Sequence, residues 1–296
     1  LEIRVLNYFL AVAREENITR AAESLNITQP TLSRQLHQLE EELGVELFEK
    51  ENRKMILTNE GMLLKRRAQE IVSLADKTVT EVSHNEKDLN GEIAIGCGEL
   101  QSVDTLSKII VEFQKLHPKV TFNMFSGNTE DIKNQMDQGL LDIGLFLEPV
   151  NVEKYDFLRM NVEETWGLFV RDDSKLANHE VIEPKDLKNQ SVILPGRGVI
   201  NHELMNWLGS EGEKLSTVSS YNLIYNSAKL VQNGMGVMLC LKLDTYYQYL
   251  TFIPLSNAPV LNSFVVWNSG QIFSKTVTSF IEYTRRYIKG IDIDVN

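Results

Sequence analysis

The chain has 296 residues, 43% of them hydrophobic and 24% charged, which is ordinary globular composition with room for two or three domains and no sign of overall disorder. No run of about 18 apolar residues occurs, and Glu2, Arg4, Arg14, Glu15 and Glu16 punctuate the N-terminal stretch, which speaks against a membrane span or a secretory signal and predicts a cytoplasmic protein. Two cysteines, Cys97 and Cys240, exclude a disulfide framework, and the net charge of -11 excludes a uniformly basic surface.

A first helix is expected from Glu2 to Arg14, turning Val5, Phe9, Leu10, Val12 and Ala13 inward as scaffold. The stretch Ile18 to Leu39 then places Ala21, Ala22, Leu25, Ile27, Leu32, Leu36 and Leu39 at the spacings of two packed helices joined by a tight turn. Thr19 is expected to cap the first of these, Asn26 to make the left-handed turn and Thr28 to cap the second, with Pro30 in its first turn. Gln29, Thr31, Ser33, Arg34 and Gln35 follow without an acid until Glu40, as at the end of a recognition helix that faces base edges and phosphates. Residues Glu46 to Leu57 alternate weakly, like a short two-stranded wing with a basic tip at Arg53 and Lys54. Across Leu1 to Thr58 the seven bases Arg4, Arg14, Arg20, Arg34, Lys50, Arg53 and Lys54 stand against ten acids, so placement carries the reading: bases gather on the helix-turn-helix and wing, while Glu40, Glu41 and Glu42 lie at the far end. The DNA-contact candidates are Thr19, Arg20, Thr28, Gln29, Pro30, Thr31, Ser33, Arg34, Arg53 and Lys54.

From Asn59 to about Glu86 no proline intervenes, and Leu64, Ala68, Ile71, Ala75, Val79 and Val82 recur near every third or fourth residue. The pattern predicts a coiled-coil seam about 40 Å long that pairs two chains, ending in the polar linker His84 to Gly91.

Beyond Glu92 strand and helix patterns alternate. Ile93 to Cys97, Val120 to Met124 and Leu141 to Leu147 read as strands, with helices over Val103 to Leu116 and Thr129 to Gln138, which implies a parallel sheet with right-handed crossovers. After strands near Tyr155 to Met160 and Thr165 to Val170, a second set follows. It comprises strand Ser191 to Leu194, helix Asn201 to Leu208, strand Ser216 to Ser219, helix Asn222 to Gln232 and strand Val237 to Leu241. Ser263 to Trp267 and the helix Ser274 to Ile288 are expected to return to the first lobe.

Leu6 to Gly61 resembles the LysR-type transcriptional regulators through Ala21-Ala22, Gln29-Pro30-Thr31-Leu32-Ser33, Leu39-Glu40, Leu43-Gly44, Leu47-Phe48, Leu57-Thr58 and Gly61. Lys50 departs from the arginine usual in that family after Phe48, keeping the charge but losing the bidentate fork. More loosely, Phe113 with His117-Pro118, Gly139 with Asp142, and Gly234-Met235-Gly236 are similar to the family's sensor domain. The resemblance implies an all-α winged helix-turn-helix (1–58), a linker and dimerisation helix (59–90), and an α/β two-lobed effector domain resembling periplasmic binding proteins (91–296). Lobe I would span about 91–162 and 267–296, and lobe II about 163–266.

In such a fold a ligand sits between the lobes, at strand ends and helix N-termini where free N–H groups favour anions. Carried over by position, the effector candidates are Gly98, Glu99, Gln101, Ser102, Ser126, Asn128, Thr129, Phe146, Pro195, Gly196, Arg197, Tyr221 and Asn222. Arg197 is placed to clamp an anion and Glu99 pulls the other way, so pairing between them and an amphoteric ligand both stay open. No metal, catalytic residue or cofactor is expected beyond a small-molecule effector, for which an anion is one candidate. Expected partners are double-stranded operator DNA, the effector and further copies as homodimer and homotetramer; RNA polymerase is left open, and no membrane is expected. The alternative is a cytosolic small-molecule-binding protein or enzyme with an N-terminal helical oligomerisation domain. The histidines form no HExxH pattern and no GxSxG elbow or P-loop occurs, which disfavours catalysis.

Overall fold

Helix α1 (Ile3–Glu15) turns Val5, Leu6, Phe9, Ala11 and Val12 inward and ends on Glu16 in the left-handed conformation, φ 49°. Helices α2 (Ile18–Ser24) and α3 (Gln29–Leu43) close over that face with Ala21, Ala22, Leu32, Leu36 and Leu39, all buried. The cap of α2 is Asn17 and not the Thr19 hydroxyl: its side chain accepts the N–H groups of Thr19 and Arg20, each at 3.0 Å. Thr19 lies inside the helix, whereas the extended backbone of Asn17 aims its oxygen at the free donors of the first turn. Asn26 makes the turn at φ 54°, and the Thr28 hydroxyl caps α3 by accepting the Thr31 N–H at 3.4 Å.

In the computed structural model, residues 1–51, 54–82, 89–148, 153–196 and 199–290 are described. They divide into two units, Leu1–Asn85 and Glu86–Asn296.

In the first unit β1 (Phe48–Glu51) and β2 (Lys54–Leu57) form an antiparallel wing with Phe48 opposite Leu57. Glu40 ties the end of α3 to it, accepting the N–H groups of Leu47 and Phe48 at 2.8 and 3.3 Å. Thr58 starts α4 (Asn59–Val82) by accepting the Gly61 N–H at 3.0 Å, while its hydroxyl donates to the Glu46 carbonyl at 2.8 Å. A Cβ at Gly61 would lie 2.2 Å from the Leu47 carbonyl oxygen, so only glycine fits where the helix leaves the wing.

The apolar stripe of α4 is divided. Ala68 is fully buried, and Leu64 and Val72 pack with it into the core of their own unit. Ile71 is 39% exposed and Val79 66%, Ala75 is half-buried, and the side chain of Val82 lies outside what the structure describes. Leu63 and Leu74, absent from the expected seam, are exposed at 57% and 42%. A helix that starts off the wing lays its first turns on α1, so the positions facing α1 are consumed there and the free apolar stripe lies further round.

Among the described residues the second unit holds two five-stranded sheets. The first is built from β3 (Gly91–Cys97), β4 (Val120–Ser126), β5 (Ile143–Leu147), β6 (Tyr155–Glu164) and β12 (Leu261–Asn268), in the order β4-β3-β5-β12-β6. The second is built from β7 (Trp166–Arg171), β8 (Ser191–Pro195), β9 (Ser216–Tyr221), β10 (Val237–Leu241) and β11 (Leu250–Pro254), in the order β11-β7-β10-β8-β9. Both sheets are mixed rather than parallel: β12 runs antiparallel to β5 and β6, and β7 antiparallel to β10 and β11. A parallel neighbour needs a crossover of a dozen or more residues, and the strands that arrive from the other lobe come without one. Because β6 runs to Glu164 and β12 begins at Leu261, the chain leaves lobe I later than residue 162 and returns before residue 267.

Helices α5 (Ser102–Leu116), α6 (Thr129–Asp137) and α9 (Lys275–Lys289) cover the first sheet, with α7 (Val199–Leu208) and α8 (Ile224–Gln232) on the second. Phe113 anchors lobe I, meeting Phe280 and Tyr283 edge-on at 5.1 and 5.4 Å between ring centroids. Leu147 and Leu261 of lobe I join the lobe II core around Trp166, Leu194 and Leu241, so the lobes share an apolar floor. Among the described residues no helix is long and apolar enough to cross a membrane.

Candidate DNA-reading face and interlobe cleft

The start of α3 projects outward. Thr28, Gln29, Pro30, Ser33 and Arg34 are exposed, Thr31 is half-buried and shares a hydroxyl contact of 2.8 Å with Thr28, and no acid occupies the first turn. Among the described residues Arg34 has no ion-pair partner, so its five donors face outward. Thr19 and Arg20 are exposed on α2, and the Arg20 guanidinium donates to the Glu15 carbonyl at 2.7 Å. Lys54 is already paired, its ammonium 2.6 Å from Glu16; that hydrogen bond and charge hold the Glu16 carboxyl below the usual carboxylate range. Arg53 lies outside the described residues.

In the second unit a small cavity of about 100 Å³ opens between the lobes. From lobe I it takes Gly98, Glu99 and Leu100 after β3, Gly127, Asn128, Thr129 and Ile132 around the start of α6, and Leu145 and Leu147 of β5. From lobe II come Trp166, Pro195, Tyr221, Asn222, Ile224 and Leu241. Of the effector candidates, the cavity therefore brings together Gly98, Glu99, Asn128, Thr129, Pro195, Tyr221 and Asn222. Arg197 lies outside the described residues. Ser126 is exposed at the end of the edge strand β4 and Gly196 gives its N–H to the Tyr221 carbonyl at 2.6 Å; neither lines the cavity.

Gln101, Ser102 and Phe146 do not line it either, for physical reasons. Phe146 is fully buried, packed edge-on against Tyr155 at 5.5 Å inside lobe I. Ser102 is also fully buried, and the start of α5 is occupied by the chain itself: Glu164 accepts the N–H groups of Gln101 and Ser102 at 2.8 and 3.0 Å. At the start of α6 a capping box takes two donors, Asn128 accepting the Asp131 N–H and Asp131 accepting the Asn128 N–H. At the start of α8 the Ile224 N–H donates to the carboxylate of Glu99, which reaches there from lobe I. Among the described residues the starts of α5, α6 and α8 each thus hold a side chain of this protein, while the residues that lead into α7 lie outside them.

The remaining walls are mostly apolar, with Thr129 and Asn222 as neutral polar members, and the buried indole N–H of Trp166 has no acceptor among the described residues. Tyr221 donates to the Leu239 carbonyl at 2.9 Å, and burial holds its phenol well above the usual range. Glu164 and the strand-end leucines were missed from the sequence; the signal for the former was the acidic pair Glu163-Glu164 where the chain changes lobes. Cys97 and Cys240 are buried in different sheets as free thiols, and burial pushes both up.

Comparison with known proteins bears on both sites. Residues 3–62 match the bacterial regulatory helix-turn-helix protein model of the lysR family, and residues 86–289 match the LysR substrate binding domain. The chain is 26% identical over 291 residues to the HTH-type transcriptional regulator BsdA of Bacillus subtilis (strain 168), covering 95% of this chain and 99% of that protein. It is 26% identical over 240 residues to the hydrogen peroxide-inducible genes activator of Pectobacterium carotovorum subsp. carotovorum, covering 81% of this chain and 79% of the other. Its fold is that of full-length CbnR complexed with target DNA, with a TM-score of 0.73 at 19% identity, over 97% of this chain and 100% of that one. A helix-turn-helix matched over residues 3–62 and a two-lobed substrate-binding unit matched over residues 86–289 leave one assignment: the chain belongs to the LysR family of transcriptional regulators.

Proposed function

We propose that the protein binds operator DNA as a homodimer through α3 and the wing, and that a small molecule between the lobes of its second unit changes how it sits on that DNA. The observation that carries the reading is the exposed, acid-free start of α3, with Gln29, Ser33 and Arg34 turned outward on a chain that is otherwise strongly acidic. A paired reader binds half-sites related by symmetry, so the exposed leucines and isoleucine of α4 serve the dimer, and association through the second units gives a tetramer. Such an assembly acts in the cytoplasm by engaging or blocking RNA polymerase. It is no enzyme in this reading, in keeping with relatives that are named as regulators. A gel shift with the DNA upstream of the protein's own gene, against random DNA of equal length, tests it. Equal affinity for the two, at several salt concentrations, would overturn it.

A further inference from the structure

The ligand chemistry of the cleft follows from the charge the chain has already placed in it. Glu99 leaves lobe I after β3, crosses to lobe II and accepts the Ile224 N–H at the start of α8. A helix start carries roughly half a positive charge, which is what would draw an organic acid there, and here a carboxylate of the protein has taken it. At the start of α5 Glu164 accepts two N–H groups, and at the start of α6 the carboxylate of Asp131 is already present in the capping box with Asn128. Among the described residues that line the cavity, Glu99 is the only charged one, and the walls beside it are Leu145, Leu147, Trp166 and Leu241. A second carboxylate brought into this space meets like-charge repulsion, and among the described lining residues it finds only neutral donors, such as the Trp166 indole N–H, and no cation to offset the loss of its water.

We propose that Glu99 sets the ligand class: the cleft takes a compact apolar amine, with its ammonium on the Glu99 carboxylate and its hydrocarbon body against Leu147, Trp166 and Leu241. A cation there gains a charge-assisted hydrogen bond in water-poor surroundings, and the apolar walls remove the rest of the molecule from water. Glu99 also bonds across the lobes, so an ammonium on it acts on the contact that joins lobe I to α8. That is how binding comes to differ between arrangements of the lobes, as any switch requires. The inference rests on the reading of the cleft as the effector site.

The test uses the full-length protein and matched probes: cyclohexylamine against cyclohexanecarboxylate, and benzylamine against benzoate, by thermal unfolding and calorimetry at neutral pH. The amines are expected to raise the unfolding midpoint of the wild type and the acids to leave it unchanged. Glu99→Gln keeps an oxygen for the Ile224 N–H while removing the charge, and is expected to lower amine affinity about tenfold or more. Acids that stabilise the wild type, with a shift lost in Arg197→Ala, would overturn the amine assignment, as would an amine shift that survives Glu99→Gln or a wild type that responds to neither class. Leu241→Trp fills the cavity and separates the two readings. If it leaves the response to a bound probe intact, the cleft is not the effector site; if it abolishes the response to an acid, the cleft stands and only the amine class falls.

Discussion

Glu164 Oε1 accepts the backbone N–H of Ser102 at 3.0 Å, and with Oε2 on Gln101 the fully buried carboxylate closes the first turn of α5 from the last residue of β6. Truncation to Glu164→Ala leaves those donors unpaired and is expected to destabilise the second unit by about 1–3 kcal/mol in urea unfolding, with Glu164→Gln milder because one acceptor remains. The Ser102 hydroxyl is buried without a partner among the described residues, so Ser102→Ala should be neutral or slightly stabilising. A loss of stability on Ser102→Ala as large as that of Glu164→Ala would contradict this account.

Arg34 stands exposed near the start of α3, with no ion pair among the described residues and nothing to lose in folding. Arg34→Ala is expected to weaken operator binding by about 1–3 kcal/mol while leaving the circular dichroism spectrum and melting temperature unchanged. Wild-type affinity in the variant would remove Arg34 from the reading face.

Lys54 and Glu16 form an ion pair in which the acid masks a wing cation. Glu16→Gln should therefore strengthen binding to any DNA and steepen the salt dependence by about one phosphate contact, seen as a more negative slope of log affinity against log salt. The carboxyl is held low in the folded state, so the pair's contribution to stability is present above the unfolded carboxylate pKa and is lost as pH falls through the folded one. Stability curves of wild type and Glu16→Gln should accordingly differ at neutral pH and converge in acid. A gap that persists in acid would mean that the substitution acts through something other than the pair.

Cys97 lies in β3 and Cys240 in β10, and burial of each thiol disfavours the thiolate that reacts. Although one relative is named as a hydrogen peroxide-inducible genes activator, operator binding here is expected to withstand mild peroxide. Native thiol titration should be slow at both sites and complete only after unfolding. Rapid labelling of Cys97 in the native protein would contradict this and point to a redox role.

The local plan of the fold could be read from the chain because it rests on near neighbours. The turn at Asn26, the cap at Thr28, and the β-α-β run from β3 to β5 depend on residues close in sequence. What escaped was decided by distant partners. Strand β11 was overlooked, since the segment Leu250–Pro254 becomes a strand only by pairing with β7. At the cleft, spacing located the helix starts but not their occupants: Glu164 lies 62 residues from Ser102, and Glu99 lies 125 residues from Ile224. A free helix start and a capped one look alike in sequence, and they differ in the ligand they accept.

The same distinction decides the test of α4. An apolar residue every third or fourth position states that a face is buried, without stating against what. Ala68 is fully buried in its own unit, whereas Leu63 and Leu74 are exposed on the same helix at 57% and 42%. A charge at position 68 would have to sit unpaired in a packed core, so Ala68→Glu is expected to unfold the first unit. A charge at position 74 meets water in the single chain and meets apolar surface only in a dimer. Leu74→Glu should leave the circular dichroism of the full-length protein intact while shifting it toward monomer in analytical ultracentrifugation, with loss of operator affinity because two half-sites are no longer held together. Leu74→Ala should give a smaller shift in the same direction. If Leu74→Glu remains fully dimeric at low micromolar concentration, the face of α4 carrying Leu63 and Leu74 is not the seam.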